Sequence, residues 1–127
     1  MRGTPLHERA VRLVSQLSKS FSLAVSQLVV AELYAVYSRT MRLSELELEA
    51  LVEYSIAKIG APVVDVDCSK LFKEARRTAY RLRLRVLDLL HVVSAYLAGA
   101  EGIATFDGDI IGRAEALGEE LGLKVYS

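Results

Sequence analysis

The residues that could do chemistry in this chain are four acids, two at the end of an apolar run and two that each interrupt an apolar segment. Asp107 and Asp109 directly follow the apolar run 103–106 in the segment IATFDGD. Glu32 is the single acid in LVVAELYAVY, and Asp88 is the single acid in VLDLLHVVSAYLAG. A carboxylate among apolar residues needs a compensating cation. These acids therefore predict a site that holds positive charge.

Carboxylates that gather at one point repel one another and take up protons unless a divalent cation neutralises them. Mg²⁺ or Mn²⁺ suits such a site, because both ions prefer oxygen ligands and need only a few carboxylates beside a substrate phosphate. A cation held in this way can position and deprotonate a water for attack on a phosphodiester. A structural alternative stays open: the three aspartates could cap helices, and Glu32 could pair with an arginine.

Strands that alternate with helices are predicted to position these acids. Thr4 is expected to cap the first helix, which begins at Pro5. Helical spacing, capping residues and glycine stops predict helices over 5–19, 27–40, 45–60, 70–82, 88–99 and from 107 or 109 to 121. Apolar and β-branched runs predict strands at 21–26, 62–67, 102–107 and 123–127.

This alternation predicts an α/β fold in a single domain over residues 1–127. Mostly apolar strands between helices indicate a three-layer architecture, with a parallel β-sheet of about four strands flanked by helices. In an open parallel sheet, ligands bind outside the carboxyl ends of the strands. Asp107 and Asp109 would lie at such an end, and Glu32 and Asp88 would each lie early in a helix that can face the same edge.

Composition favours a cytoplasmic protein without a membrane span. The chain has a single cysteine, Cys68, so no disulfide can form within it, and a reducing compartment is expected. The start, MRGTPLHERAVRL, has no apolar signal core, and each long apolar stretch elsewhere is interrupted by a charge or by His91.

The charges balance overall, with 16 basic and 16 acidic residues, but they are unevenly distributed. Residues 70–85 are strongly basic, and arginine suits bidentate phosphate binding, which makes this stretch a candidate RNA contact surface. The alternative is a solvated helix face whose arginine stems cover apolar neighbours. The candidate RNA-binding residues are Arg76, Arg77, Arg81, Arg83 and Arg85.

Three segments of the chain resemble the PIN-domain family, the metal-dependent ribonuclease fold of the VapC-type toxins and their relatives. These segments are SLAVSQLVVAELYAVYSR, LDLLHVVSAYLAGAEGIATFDGDI and LGLKVYS. The resemblance covers nearly the whole chain and is most specific in the pattern Asp88-x-x-His91-x-x-x-Ala95 followed by Thr105-x-Asp107. We interpret His91 as a structural residue and not as a ligand.

The resemblance implies a divalent-metal-dependent endoribonuclease that is the toxin of a toxin-antitoxin pair. It implies RNA as substrate, an antitoxin protein as partner, and a homodimer. It also implies that Glu32, Asp88 and Asp107 are catalytic and hold the metal ion. Asp109 would add a further oxygen ligand, and the Thr105 hydroxyl would support the site.

The resemblance also predicts a strand that this chain lacks. In the family, a first strand that ends in an Asp precedes the segment that here reads TPLHERAVRLVSQL, and no acid stands before Glu8 in this sequence. We therefore expect an incomplete N-terminus, so that activity of the chain as given stays an open question. The alternative is a non-catalytic PIN-like module that binds RNA or a protein, inactive because the first metal ligand is absent.

Overall fold

The computed structural model describes residues 5–127, and the surroundings of side chains from residue 8 onward. The predicted cap at Thr4 lies outside the described residues. The chain forms two compact units, residues 1–63 and residues 64–127. The expectation of a single domain stays a prediction.

The first unit consists mainly of three helices. Its elements are α1 (Pro5–Ser20), β1 (Val25–Ser26), α2 (Gln27–Thr40) and α3 (Glu45–Ile59), and β2 (Val63–Val64) begins at its end. The Val25 N–H donates to the Pro62 carbonyl at 2.9 Å, and the Tyr37 and Ser55 hydroxyls form a hydrogen bond of 3.0 Å between α2 and α3. Val52 of α3 is buried.

Local sequence signals set the helix ends of this unit. The Ser26 hydroxyl accepts from the Val29 N–H, which caps α2 as predicted. The predicted capping box of α3 is confirmed, because the Ser44 hydroxyl accepts from the Glu47 N–H and the Glu47 carboxylate accepts from the Ser44 N–H. Gly60, at φ 73°, ends α3 in the left-handed conformation that glycine adopts without strain.

The second unit contains four helices and the strand pair that leads to the acidic segment. After the end of β2 come α4 (Cys68–Leu82), α5 (Val86–Leu97), β3 (Gly102–Ala104), α6 (Gly108–Ile111), α7 (Ala114–Leu121) and β4 (Lys124–Tyr126). Strands β3 and β4 are parallel, with Gly102 opposite Lys124 and Ala104 opposite Tyr126. A cluster of aliphatic side chains from all four helices and from Leu123 forms the core of this unit.

The break between α4 and α5 falls where the alternating sequence Leu82-Arg83-Leu84-Arg85-Val86 predicts it. Leu82 is fully buried, and Arg83 then adopts a left-handed conformation at φ 53° that ends α4. This conformation is uncommon for a residue with a side chain. The reversal brings the chain back as α5, which packs against α4.

The α/β class is confirmed, and the structure corrects two details of it. A strand occurs within each predicted strand segment, but it is only two or three residues long, and the hydrogen bonds join β1 to β2 and β3 to β4. Strand β2 is limited at its start by Pro62, which has no N–H to donate, and β3 is limited at its end by the turn that begins at Thr105. The helix predicted up to residue 121 is broken at Gly112, where low helix propensity separates α6 from α7.

Candidate metal centre

Three carboxyl groups of the second unit lie close together. Asp88, Asp107 and Asp109 each offer one carboxylate oxygen, and these oxygens all lie within 4.8 Å of one another. Asp88 is half-buried, whereas Asp107 and Asp109 are exposed. All three acids are predicted site residues, and the fold brings them to one place although Asp88 is nineteen residues before Asp107 in the chain.

A short chain of hydrogen bonds at the end of β3 positions Asp107 and Asp109. The Thr105 N–H donates to the Tyr126 carbonyl at 2.9 Å, which extends the parallel pairing one residue beyond β3. The Thr105 hydroxyl then accepts from the Asp107 N–H at 3.0 Å, and Asp107 Oδ1 accepts from the Asp109 N–H at 2.8 Å. The second bond caps α6. Thr105 is therefore placed to hold the backbone from which Asp107 projects.

Burial of one face of α5 positions Asp88. Asp88 lies in the first turn of α5, and Leu89, Val92 and Val93 of the same helix are buried in the core. The helix also packs against β3, the strand that leads to Asp107. The first turn of a helix is favourable for a carboxylate, because unpaired backbone N–H groups point outward there. The position of Asp88 thus follows from the packing of the residues that come directly after it.

The acids affect one another electrostatically. Burial is the main cause that raises the pKa of the Asp88 carboxyl above its ordinary value. The negative charge of Asp107, a hydrogen bond shared with Asp107 and the charge of Asp109 raise the pKa further, and His91 acts in the opposite direction. The ionised form of Asp88 is therefore disfavoured unless a positive charge is added.

The three side chains fit a hard divalent cation. All of the available ligand atoms are carboxylate oxygens, which Mg²⁺ and Mn²⁺ prefer. Asp107 Oδ1 accepts the hydrogen bond that caps α6, and the carboxylate keeps further lone pairs that can bind a cation. Repulsion among three carboxylates is the energetic condition under which such an ion binds favourably.

The remaining predicted metal ligand, Glu32, belongs to the first unit. It lies in the second turn of α2 and is half-buried. Its assignment as a ligand and catalytic residue stays a prediction. His91 lies one turn after Asp88 on α5, and its Nε2 atom is buried, in keeping with a structural role.

The five predicted RNA-binding arginines are all exposed, but they differ in their contacts. Arg77 Nε lies 2.7 Å from Glu74 Oε2, and Arg81 Nη1 lies 3.1 Å from Glu120 Oε1. Two of the five arginines are therefore partly neutralised by glutamates of the same unit. Exposed ion pairs of this kind contribute little to stability, so both arginines can exchange partners at small cost.

The other three arginines lie on α4 and on the segment that follows it. The Arg83 guanidinium lies over the ring of Tyr80, 4.6 Å from its centroid. Arg76 and Arg85 form no ion pair with any residue of the described part of the chain. The assignment of the five arginines to RNA binding stays a prediction.

Two exposed aromatic residues of α4 were not singled out from the sequence. Phe72 retains 51% of its accessible surface and Tyr80 retains 77%. They lie on the same side of the helix as Arg76, at spacings of four residues. That spacing was readable from the sequence, but in a helix of unknown packing it is equally typical of a buried face.

Comparison with known proteins gives one match. The sequence model of the PIN domain family matches residues 1–116, which is most of the chain. No curated protein and no solved structure matches the chain. Within the described residues, no helix is long and apolar enough to cross a membrane.

Proposed function

The chain belongs to the PIN domain family, and from this membership we propose that it is a divalent-metal-dependent endoribonuclease. PIN domains are generally nucleases and typically depend on a divalent metal ion. The observation that carries the proposal is the cluster of Asp88, Asp107 and Asp109, whose carboxylate oxygens lie within 4.8 Å of one another.

In this proposal Asp88, Asp107 and Asp109 hold Mg²⁺ or Mn²⁺. When bound, the ion supplies an activated water and neutralises charge on the phosphodiester that is attacked. The cation compensates the charge of Asp88, because the burial and the two neighbouring carboxylates that raise the pKa of this carboxyl disfavour a bare negative charge there. Thr105 is a positioning residue that fixes the backbone N–H of Asp107.

Glu32 is proposed as a further catalytic carboxylate. Its support is the resemblance to the PIN-domain pattern and its half-buried position on α2, where an acid among apolar neighbours is unusual. Substitution of Glu32 by Gln removes the charge but keeps the size of the side chain. We expect this substitution to lower cleavage as strongly as substitution of Asp88 if both residues hold the ion.

The decisive experiment is a cleavage assay on a structured RNA with Mn²⁺. The wild-type chain is compared with Asp88→Asn and with Asp65→Asn as control, because Asp65 is an acid of the second unit that lies outside the acidic cluster. We expect cleavage by the wild type and by Asp65→Asn, loss of cleavage in Asp88→Asn, and loss for every variant in EDTA. RNA binding without cleavage would instead indicate a non-catalytic PIN-like module.

The toxin role, the antitoxin partner and the homodimer are finer parts of the proposal. They are supported by the resemblance of the quoted segments to VapC-type toxins. Growth arrest on expression of the wild type, absent on expression of Asp88→Asn, tests the toxin role. Light scattering of the purified chain tests the homodimer, and a mass that corresponds to one copy at all concentrations contradicts it.

A further inference from the structure

One face of α4 carries aromatic and basic side chains in alternation. Phe72, Arg76 and Tyr80 follow one another at intervals of four residues, and Arg83 lies over the Tyr80 ring. Both aromatic residues are more than half exposed, although large aromatic side chains usually contribute to a core or to an interface. We call Phe72, Arg76, Tyr80 and Arg83 the α4 strip.

The surroundings of the α4 strip are positively charged. Residues 70–85 contain seven basic residues and one acid, Glu74, which is already paired with Arg77. A polyanion is therefore the complementary partner. The exposed rings provide a second mode of recognition beside charge, because nucleobases stack on aromatic side chains and on arginine guanidinium planes.

We infer that the α4 strip is a binding platform for single-stranded RNA, on which Phe72 and Tyr80 each stack one unpaired base. Arg76 contacts the phosphate backbone between the two bases. Arg83 covers one face of the Tyr80 ring and leaves the other face to a base, in agreement with the 77% exposure of Tyr80. This inference rests on the proposal that RNA is the substrate.

The spacing along the helix favours a single strand over a duplex. Phe72 and Tyr80 are eight residues apart, which corresponds to about 12 Å along a helix axis. Stacked bases of one duplex strand are only about 3.4 Å apart, and their faces are covered by neighbouring bases. Only an unpaired strand can splay two bases so that each reaches its own ring.

The platform is close in sequence to the acidic cluster. Arg83 ends α4, and Asp88 follows five residues later in the first turn of α5. Five residues of extended chain span at most about 18 Å, so the two Cα atoms lie within that distance. One strand bound along α4 can therefore be long enough to reach the carboxylates proposed to act on it.

Fluorescence anisotropy with a labelled oligouridine in EDTA tests the platform without any need for cleavage. The second probe is an abasic strand of equal length and charge. We expect Phe72→Ala and Tyr80→Ala to bind oligouridine about 5- to 150-fold more weakly, the range that corresponds to one stacked base. Both variants should bind the abasic strand as the wild type does.

Three further variants separate stacking from charge and from misfolding. Tyr80→Phe keeps the ring and should bind oligouridine nearly as the wild type does. Arg76→Ala should weaken binding to both probes and reduce the slope of log affinity against log salt by about 0.7, which the aromatic variants should leave unchanged. Circular dichroism and thermal unfolding confirm that each variant is folded.

Tyr54 of α3 supplies a matched control in the other unit. It is 61% exposed and also has a cation over its ring, with Lys58 Nζ 5.6 Å from the centroid. Its helix is acidic, so it lacks the charge complementarity of α4. Tyr54→Ala should bind both probes as the wild type does.

Three results would overturn the inference. The first is that Phe72→Ala and Tyr80→Ala retain wild-type affinity for oligouridine, and the second is that they lose equal affinity for both probes. The third is that the wild type binds neither probe while the aromatic substitutions change the association of the chain with itself, which would make the strip a protein interface. If the wild type cleaves RNA while the aromatic variants bind normally, only the platform fails. If stacking is confirmed without cleavage in Mn²⁺, only the nuclease proposal fails.

Discussion

Asp88→Asn is predicted to stabilise the folded chain while it abolishes metal binding. The carboxyl of Asp88 is half-buried and has two other carboxylates within 4.8 Å. An asparagine keeps the shape and can donate a hydrogen bond to Asp107, but it removes one of three mutually repelling charges. Loss of function together with a gain in stability is typical of a residue retained for its chemistry.

The size of the gain follows from the distance between the acids. Two unit charges 4.8 Å apart in a water-like dielectric repel each other by about 0.9 kcal/mol. Asp88 has two such neighbours, and salt at ~0.1 M screens part of the interaction. We therefore expect the free energy of unfolding to rise by about 1–2 kcal/mol at pH 7 without metal, which corresponds to about 4–8 °C in Tm.

The gain should depend on pH in a defined direction. The pKa of Asp88 is raised in the folded chain, whereas an unfolded aspartate titrates near ~3.9. The stability of the wild type relative to Asp88→Asn is therefore greatest below the unfolded pKa of ~3.9. The wild type loses this relative stability as the pH rises through the raised pKa of Asp88. The advantage of Asp88→Asn should be small near pH 4 and should grow as the pH rises through the raised pKa of Asp88.

The assay is urea unfolding of the wild type, Asp88→Asn and Asp65→Asn in EDTA, repeated with Mn²⁺. Asp65→Asn removes an acid outside the cluster and should change stability by less than about 0.5 kcal/mol. Mn²⁺ should stabilise the wild type and Asp65→Asn but not Asp88→Asn. Destabilisation by Asp88→Asn at pH 7 in EDTA, or equal stabilisation of all three by Mn²⁺, would refute the reasoning.

Three further predictions concern the elements that position the site. Gly102→Ala should lower the free energy of unfolding by about 1–3 kcal/mol, because the added Cβ would lie 2.6 Å from the Lys124 carbonyl oxygen. Urea unfolding measures this change, and a Gly102→Ala variant as stable as the wild type would contradict it. Asp107→Asn should keep the hydrogen bond that caps α6 but should lose Mn²⁺ binding, as measured by calorimetry. Asp107→Ala should lose the cap as well as Mn²⁺ binding, and its free energy of unfolding should fall by about 1 kcal/mol. Equal stability of the two variants would contradict the capping role. Arg83→Gly should change Tm little, since glycine adopts the left-handed conformation without strain. Arg83→Val should lower Tm by several degrees. A lower Tm for Arg83→Gly than for Arg83→Val would show that the left-handed conformation is not needed.

Helix ends and the break between α4 and α5 were readable from short stretches of sequence. Ser26 and Ser44 cap α2 and α3 as predicted, and Asp67 is the residue that caps α4. Gly122 ends α7 in the left-handed conformation. These features depend on hydrogen bonds within a few residues, so no knowledge of distant packing is needed.

The extent of the strands was not readable from the same patterns. The segments 21–26 and 62–67 were predicted as strands in full, but the structure has two residues of strand in each. An apolar, β-branched run indicates that a segment is half-buried and extended. How many of its residues form ladder hydrogen bonds depends on the partner strand, which the run itself does not specify.

The sequence by itself determined which residues are chemically unusual. Single acids in apolar segments stand out because an uncompensated buried charge is costly, and this holds in any fold. Glu32 and Asp88 stand out for this reason, whereas Asp107 and Asp109 stand out because they follow a predicted strand, at the edge of a parallel sheet where ligands bind. The role of Glu32 as a ligand stays a prediction.

Tertiary structure decided which of these residues meet and which surfaces remain open. The distance between Asp88 and Asp107 depends on how α5 packs against β3, a contact between segments that no local pattern encodes. The exposure of Phe72 and Tyr80 was likewise decided by the packing of α4, because a helical spacing of aromatic residues fits a core face as well as an open one. Local chemistry is specified by neighbours in the chain, whereas proximity and exposure are properties of the packed whole.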